Sequence, residues 1–371
     1  MINAIQEIFR CYGPTYMERF GEKIPEAHRK VIKAIEQCRS GAVGHHLYRC
    51  PDCKKVHVAN SSCGNRHCPV CQSEKSERWL FRELNKALPC SYFLITFTVP
   101  AALRPFLRSH QQQGYAALFG AAADALKTLA SDKRFVGCAT SGFTGILHTW
   151  GRQLQYHPHL HFIVPGGGLN ESASAWIGSR PDFFIHVHPL GHAFRHRFRK
   201  RMRKEGLEGS IPPEIWEQDW NVNSKAVGDG RATLRYLANY VFRVAITANR
   251  IRSWDNGTVR FAYRKGRSRR QRIMELDACE FIRRFLQHVL PCGFMKVRHY
   301  GFLNPNAKVC LQRLCELICV LYETLRGKRP PPEPSTRKPL RCSHCGALMR
   351  WLKFYPAPSP LERSPPVCAS G

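Results

Sequence analysis

Residues 156–162 read YHPHLHF. Histidines 157, 159 and 161 alternate with Pro158, Leu160 and Phe162. Side chains on a β-strand alternate faces with period two, so the stretch predicts a strand with an imidazole face and an apolar face. Alternate residues lie roughly 6.6 Å apart along a strand. Two imidazoles at that spacing can lean onto one ion, with nitrogens about 2.1 Å from it. A lone histidine on such a strand would read as a satisfied core residue; three in phase read as a metal site.

The preceding strand candidate, FTGILHTW, carries His148 near its end. A hairpin turning through residues 150–157 folds that histidine back beside His159. The expected ligands are therefore His148, His159 and His161, with His157 in reserve at the strand entrance. Three imidazoles leave coordination positions open, so such a site can act as a Lewis acid. The donor set suits zinc or manganese better than magnesium.

Cysteines make a second pattern. CPDCKKVHVANSSCGNRHCPVC holds Cys50 and Cys53, then fourteen residues, then Cys68 and Cys71. Each pair can pinch a metal from one turn, and two pairs complete a closed tetrahedral thiolate shell. These four are expected to hold structural zinc, with Cys63, His57 and His67 near enough to replace one ligand. The late RCSHCG supplies one further pair, Cys342 and Cys345, with His344 and Cys368 as possible additions. Cys310, Cys315 and Cys319 lie in an apolar helix and read as core. Seventeen cysteines in a chain of 371 residues without a signal-peptide pattern point to metal in a reducing compartment rather than disulfides.

The periodicities divide the chain into an N-terminal helical region (1–45), a four-cysteine zinc-binding region (46–75) and a large mixed region (76–305). A C-terminal helix, Pro-rich linker and CxxC tail follow (306–371). Residues 170–215 are irregular and polar around the basic helix FRHRFRKRMRK, and read as an insertion. The fold class is α+β. No stretch has the length and apolarity of a spanning helix.

Lys and Arg outnumber Asp and Glu by 57 to 27, a net charge of +30. That excess suits a polyanion far better than a small neutral substrate, because phosphate neutralisation supplies affinity without regard to sequence. The segments FRHRFRKRMRK and RKGRSRRQR can track phosphates. Lys225, Arg243, Arg264 and Lys265 are the individual candidates for DNA contact.

A helix is expected over 230–248, within which Leu234, Leu237, Val241 and Val244 form a core stripe. Tyr236 and Tyr240 share the neighbouring face. A phenol has a pKa near 10 and is a poor nucleophile unless oriented. A metal that draws charge from a scissile phosphate can compensate. Beside a histidine strand in a basic chain, the two tyrosines read as nucleophiles.

With these residues in place the chain resembles the HUH endonucleases, which join a histidine–apolar–histidine strand to one or two tyrosines on a helix. It is most similar in pattern to the rolling-circle transposases of insertion sequence family 91. The matching stretches are YRCPDC…SCGNRHCPVCQ, LHTWGRQLQYHPHLHFIVPGGGL, LRYLANYVFRVAI and FIRRFLQHVLPCGFMKVRHYGFL. The resemblance implies an HUH nuclease core, with a central antiparallel sheet flanked by helices and a zinc ribbon before it. It implies an enzyme that nicks and joins single DNA strands at the ends of a mobile element through 5′-phosphotyrosine. Magnesium or manganese would sit at the histidines and structural zinc at the cysteines. The expected partner is single-stranded or unpaired DNA in the bacterial cytoplasm, at the nucleoid, with no membrane. His159 and His161 match the HUH pair, and Tyr236 and Tyr240 the paired nucleophiles. Single-tyrosine transposases of another HUH branch take a ligand from a glutamine four residues after the tyrosine. Here that place holds Tyr240, which favours His148 as the third ligand. The alternatives are a replication initiator or relaxase of the same superfamily, a zinc-dependent hydrolase, and a non-catalytic zinc-ribbon DNA binder.

Overall fold

The computed structural model describes residues 3–241, 245–264, 270–322 and 340–357. Helix α1 (Ala4–Phe20) starts at Asn3, whose side chain accepts the backbone N–H groups of Ile5 and Gln6 and so satisfies donors that a helix start leaves unpaired. Ile5, Ile8 and Phe9 meet Val31, Ile32 and Ile35 of α2 (Glu26–Gln37), all fully or almost fully buried. The hairpin β1 (His45–Arg49) and β2 (Val56–Asn60) follows, then α3 (Ser73–Asn85).

Strand β3 (Tyr92–Thr98) stops before Pro100, as expected for a residue that cannot donate to a ladder. Helices α4 (Arg104–Ser109) and α5 (Gln111–Ser131) lead to β4 (Thr140–Ser141), β5 (Phe143–Trp150) and β6 (Tyr156–Pro165). Next come β7 (Gly167–Leu169), β8 (Trp176–Gly178), α6 (Val187–Lys204), β9 (Val222–Ala226) and α7 (Arg231–Val241). The remainder is β10 (Ile251–Asp255), β11 (Thr258–Arg264), β12 (Gln271–Asp277), α8 (Ala278–Leu286), β13 (Val297–Tyr300), α9 (Leu311–Tyr322) and β14 (Arg350–Tyr355).

The central sheet has the order β13-β5-β6-β3-β9, antiparallel at every pairing. The α+β class with a central antiparallel sheet between helices is therefore as the sequence predicts. Period two sorts the sheet into two faces. On one, Phe93, Ile95, Phe97, Leu147, Leu160 and Phe162 pack against α5 and α6 in the largest core. Burying each such side chain contributes about 1.5–3 kcal/mol. The other face carries Ile146 and Ile163 at one end, covered by Trp79 of α3 and by Leu234 and Leu237 of α7. Its other end carries the histidines.

Three points go beyond the sequence reading. Residues 170–215, read as an insertion, contribute to the main core: Leu190, Phe194, Phe198 and Met202 of α6 recur every four residues and are fully buried there. Their apolar stripe is narrow, and the charge around it hides it from a reading by composition. The N-terminal helices also join the later part of the chain, because Ile8 and Phe9 share a core with Val259, Phe261 and Phe281 of β11 and α8. Finally, α7 does not run to 248: Ala245 has φ +54°, in the left-handed region outside the right-handed helical range, and Ala248–Arg250 form a separate 3-10 turn.

Among the described residues no helix is long and apolar enough to cross a membrane.

Candidate active site

The β5–β6 hairpin brings the histidines together. His148 pairs directly with His159, and Ile146 with His161, which puts the three imidazoles on one face. Their candidate ligand nitrogens all lie within 4.8 Å of one another. The His148 and His161 rings are 4.5 Å apart, His159 and His161 4.8 Å. His157 stands outside this group, its ring tilted at 43° to that of His159 with the centroids 5.1 Å apart.

Neighbouring groups orient two of the rings. His159 Nδ1 donates to the carbonyl of His157 at 2.7 Å, leaving Nε2 with its lone pair. His161 Nδ1 lies 3.0 Å from Thr96 Oγ1 on the adjoining strand, a hydroxyl that can accept. Metal-binding histidines are commonly fixed in this way through the second ring nitrogen. Burial keeps the imidazoles neutral: it pushes His159 down to about 3 and His161 to about 4, and holds His148 far below its ordinary value. A neutral imidazole is the ligand form. Trp150 stacks on His148 at 5.1 Å, and Lys296 Nζ lies 4.6 Å from the centre of the Trp150 ring. Burial, and then Arg66, lowers Lys296 to about 7.

The histidines open into a cavity of about 560 Å³ that Tyr236 also lines. Gly230 and Asp229 start α7: Gly230 has φ +72°, and the Asp229 carboxylate accepts from Arg231 N–H. Leu234, Leu237, Ala238 and Val241 are buried, whereas Tyr236 is 54% exposed, so the core stripe aims the tyrosine outward. Ser76 of α3 donates to the Ala238 carbonyl at 2.6 Å and fixes α7 from behind. Tyr240 lies in the same helix; its side chain, and Arg243 and Lys265 entirely, fall outside the described residues.

Of the basic residues singled out for DNA contact, Arg264 lines the cavity and Lys225 does not. Lys225 pairs with Leu94 on the exposed edge strand β9, sharing the histidine face of the sheet away from the opening. Arg152, Arg250 and Tyr263 line the cavity and were not singled out from the sequence. Arg250 is pinned by its bonds to the carbonyls of Ala262 and Arg152, and Arg152 by one to Arg264. The position of Arg152, in the turn between two histidine-bearing strands, was the available signal.

The cysteines form two groups, and neither is the expected set of Cys50, Cys53, Cys68 and Cys71. Cys68 and Cys71 join Cys38 and Cys63; Cys50 and Cys53 join Cys342 and Cys345. Cys38 caps the end of α2 and was passed over because it has no partner three positions away. His67 is no ligand: its Nε2 accepts the Leu290 N–H at 3.1 Å. His57 stays on the exposed strand β2. Of the cysteines read as core, Cys310 is exposed and Cys315 and Cys319 are half-buried, because the inward stripe of α9 is Leu314, Leu317 and Ile318.

Comparison with known proteins places both halves of the chain. A family described as "Transposase zinc-binding domain" matches residues 8–99, and one described as "Putative transposase" matches residues 142–309. The protein is thus a transposase, a DNA-processing enzyme that binds DNA and carries a zinc-binding domain. The "Putative transposase y4qJ" of Sinorhizobium fredii is 37% identical over 320 residues, covering 81% of this chain and 80% of that protein. The "Transposase for insertion sequence element IS801" of Pseudomonas savastanoi pv. phaseolicola is 29% identical over 352 residues, covering 86% and 82%. The chain belongs to the transposases of insertion sequence family 91. No solved structure matches it.

Proposed function

We propose that this transposase cuts and rejoins single DNA strands through a phosphotyrosine bond, with Tyr236 as an attacking group. The observation that carries the reading is the shared cavity: Tyr236 and the three clustered imidazoles face the same space. His148, His159 and His161 would hold one divalent ion, manganese or magnesium, that draws charge from the scissile phosphate and fixes its place. The oriented, neutral rings and their clustering fit such an ion.

In the first step Tyr236 Oη bonds to phosphorus as the bond from phosphorus to the 3′ oxygen breaks. The proton leaving the phenol is balanced by the one taken up by the departing 3′ hydroxyl. The 5′ phosphate stays on tyrosine and keeps the energy of the broken diester, so a later 3′ hydroxyl can reverse the step without ATP. Tyr240 would take the second strand in the same way. Arg152, Arg250 and Arg264 give the cavity a cationic rim for the phosphates on either side. A single, unpaired strand fits this reading, because one backbone must approach the phenol in line.

The test uses Tyr236→Phe, Tyr240→Phe and the double variant with a single-stranded oligonucleotide carrying an element end and manganese. Mass spectrometry should find a DNA–peptide adduct on Tyr236 in the natural chain and none in the double variant. Nicking that persists in the double variant would mean that water, not tyrosine, is the attacking group.

A further inference from the structure

The transposase zinc-binding match ends at residue 99 and the other at 309, so Cys342 and Cys345 lie outside both. Yet in the fold they meet Cys50 and Cys53. Cys50 Sγ is 3.4 Å from Cys345 Sγ, Cys53 Sγ is 3.5 Å from Cys342 Sγ, and Cys53 and Cys345 are 3.6 Å apart. A disulfide would require about 2.05 Å. Four sulfurs each about 2.3 Å from a central zinc lie about 3.8 Å from one another, close to the separations here.

The two turns are built alike. Lys54, directly after Cys53, has φ +61°, and Gly346, directly after Cys345, has φ +75°. Cys50 N–H donates to the Lys55 carbonyl and Cys342 N–H to that of Ala347, both at 2.8 Å. Backbone N–H groups of each turn point at its own sulfurs: Asp52 and Cys53 toward Cys50, His344 and Cys345 toward Cys342. Such donors stabilise thiolate rather than thiol.

A second observation asks for a cross-link. Strand β14 adds to the free edge of β1, giving the sheet β14-β1-β2. Every residue of β14 is exposed, and no residue of the three strands belongs to any of the three apolar cores among the described residues. A small sheet without a core needs a staple such as a metal.

We infer that the two ends of the chain jointly build a second structural zinc site, with Cys50 and Cys53 supplying one half and Cys342 and Cys345 the other. The ribbon of this transposase is then a composite, closed by its own C-terminal tail across 289 residues. Four thiolates fill the shell, so the site has no place for substrate.

Elemental analysis and native mass spectrometry of the full chain decide the matter. The natural protein should carry two zinc ions at the cysteines, scored in the background of His148→Ala, His159→Ala and His161→Ala. The pair Cys342→Ser, Cys345→Ser should carry one, the pair Cys50→Ser, Cys53→Ser should also carry one, and all four changes together should still leave one. Because serine variants can unfold, Cys345→His serves as a second probe. It should retain two metals, with the thiolate charge-transfer intensity of the cobalt form reduced by about one part in eight. A natural chain with a single zinc, or a Cys342→Ser, Cys345→Ser chain that keeps two, overturns the inference.

Discussion

Thr96 Oγ1 lies 3.0 Å from His161 Nδ1, across the β3–β6 pairing in which the two residues are directly opposed. The hydroxyl can accept a hydrogen bond from Nδ1–H and so leave the lone pair of Nε2 to point at the other imidazoles. Thr96→Val keeps the shape and removes the acceptor. Manganese affinity should then fall about 10- to 100-fold, as for other partners of ligating histidines. Titration calorimetry checks it, with an unchanged far-ultraviolet spectrum as control. Unaltered affinity would show that His161 does not bind through Nε2.

How far this centre could be read beforehand depended on distance along the chain. Period two sufficed for the opposition of His148 and His159, because one tight hairpin connects them. The outward turn of Tyr236 followed equally from Leu234, Leu237 and Val241, whose spacing fixes the helix's buried side. The cysteine partnerships failed on the same criterion. Proximity in sequence suggested that Cys53 and Cys68 share a metal, whereas the folded hairpin sends Cys50 and Cys53 toward the tail and leaves Cys68 and Cys71 with Cys38. Long-range pairing of that kind leaves no periodic trace. Nor did α6 disclose its structural role, since its five buried residues are outnumbered by the surrounding Arg, Lys and His.

Gly230 is the hinge on which α7 hangs. Its φ is +72°, and a Cβ there would come within 2.8 Å of the Tyr92 ring. Its carbonyl also accepts the Leu234 N–H at 2.9 Å, in the first turn of the helix. Gly230→Ala should cost about 1–3 kcal/mol, seen as a lower urea midpoint. Adduct formation at Tyr236 should fall by more than the folded fraction does, because the helix that presents the phenol shifts. Equal losses would separate the glycine from the tyrosine's placement.

Acid should loosen the fold through histidines outside the metal cluster. His67 and His288 are almost wholly buried, and burial pushes both down to about 3. The unfolded chain binds their protons near pH 6.5, so between about 6.5 and 3 the unfolded state holds more protons. Stability contributed by these groups is complete above pH 6.5 and declines as the pH falls. At pH 5 each costs about 2 kcal/mol. With His148, His159 and His161 changed to Ala, so that the cluster does not titrate, thermal unfolding should come several degrees lower at pH 5 than at pH 7.5. His288→Gln, which removes one of the groups, should flatten that difference; a profile of unchanged steepness would contradict the assignment to buried histidine.

The basic helix α6 predicts a separation between chemistry and DNA retention. Phe194 and Phe198 bind it to the apolar face of the sheet, and the histidines occupy the opposite face. Its outer side lines a groove of about 880 Å³ with Lys200, Lys204 and several arginines. Three of those are already engaged, Arg199 and Arg203 by Glu208 and Arg201 by Asp124, whereas Lys200 and Lys204 are exposed. A short strand at the histidine cavity cannot touch them without passing around the sheet edge. Lys200→Ala with Lys204→Ala should therefore leave cleavage of a short oligonucleotide within about twofold. Binding of long DNA should weaken, and the slope of log affinity against log salt should drop by about 2, one for each ammonium group removed from a phosphate. Arg264→Ala, on the cavity rim, should do the reverse, reducing short-strand cleavage while changing the long-DNA slope by about 1. If both variants affected both measurements alike, the two basic surfaces would be serving one continuous track.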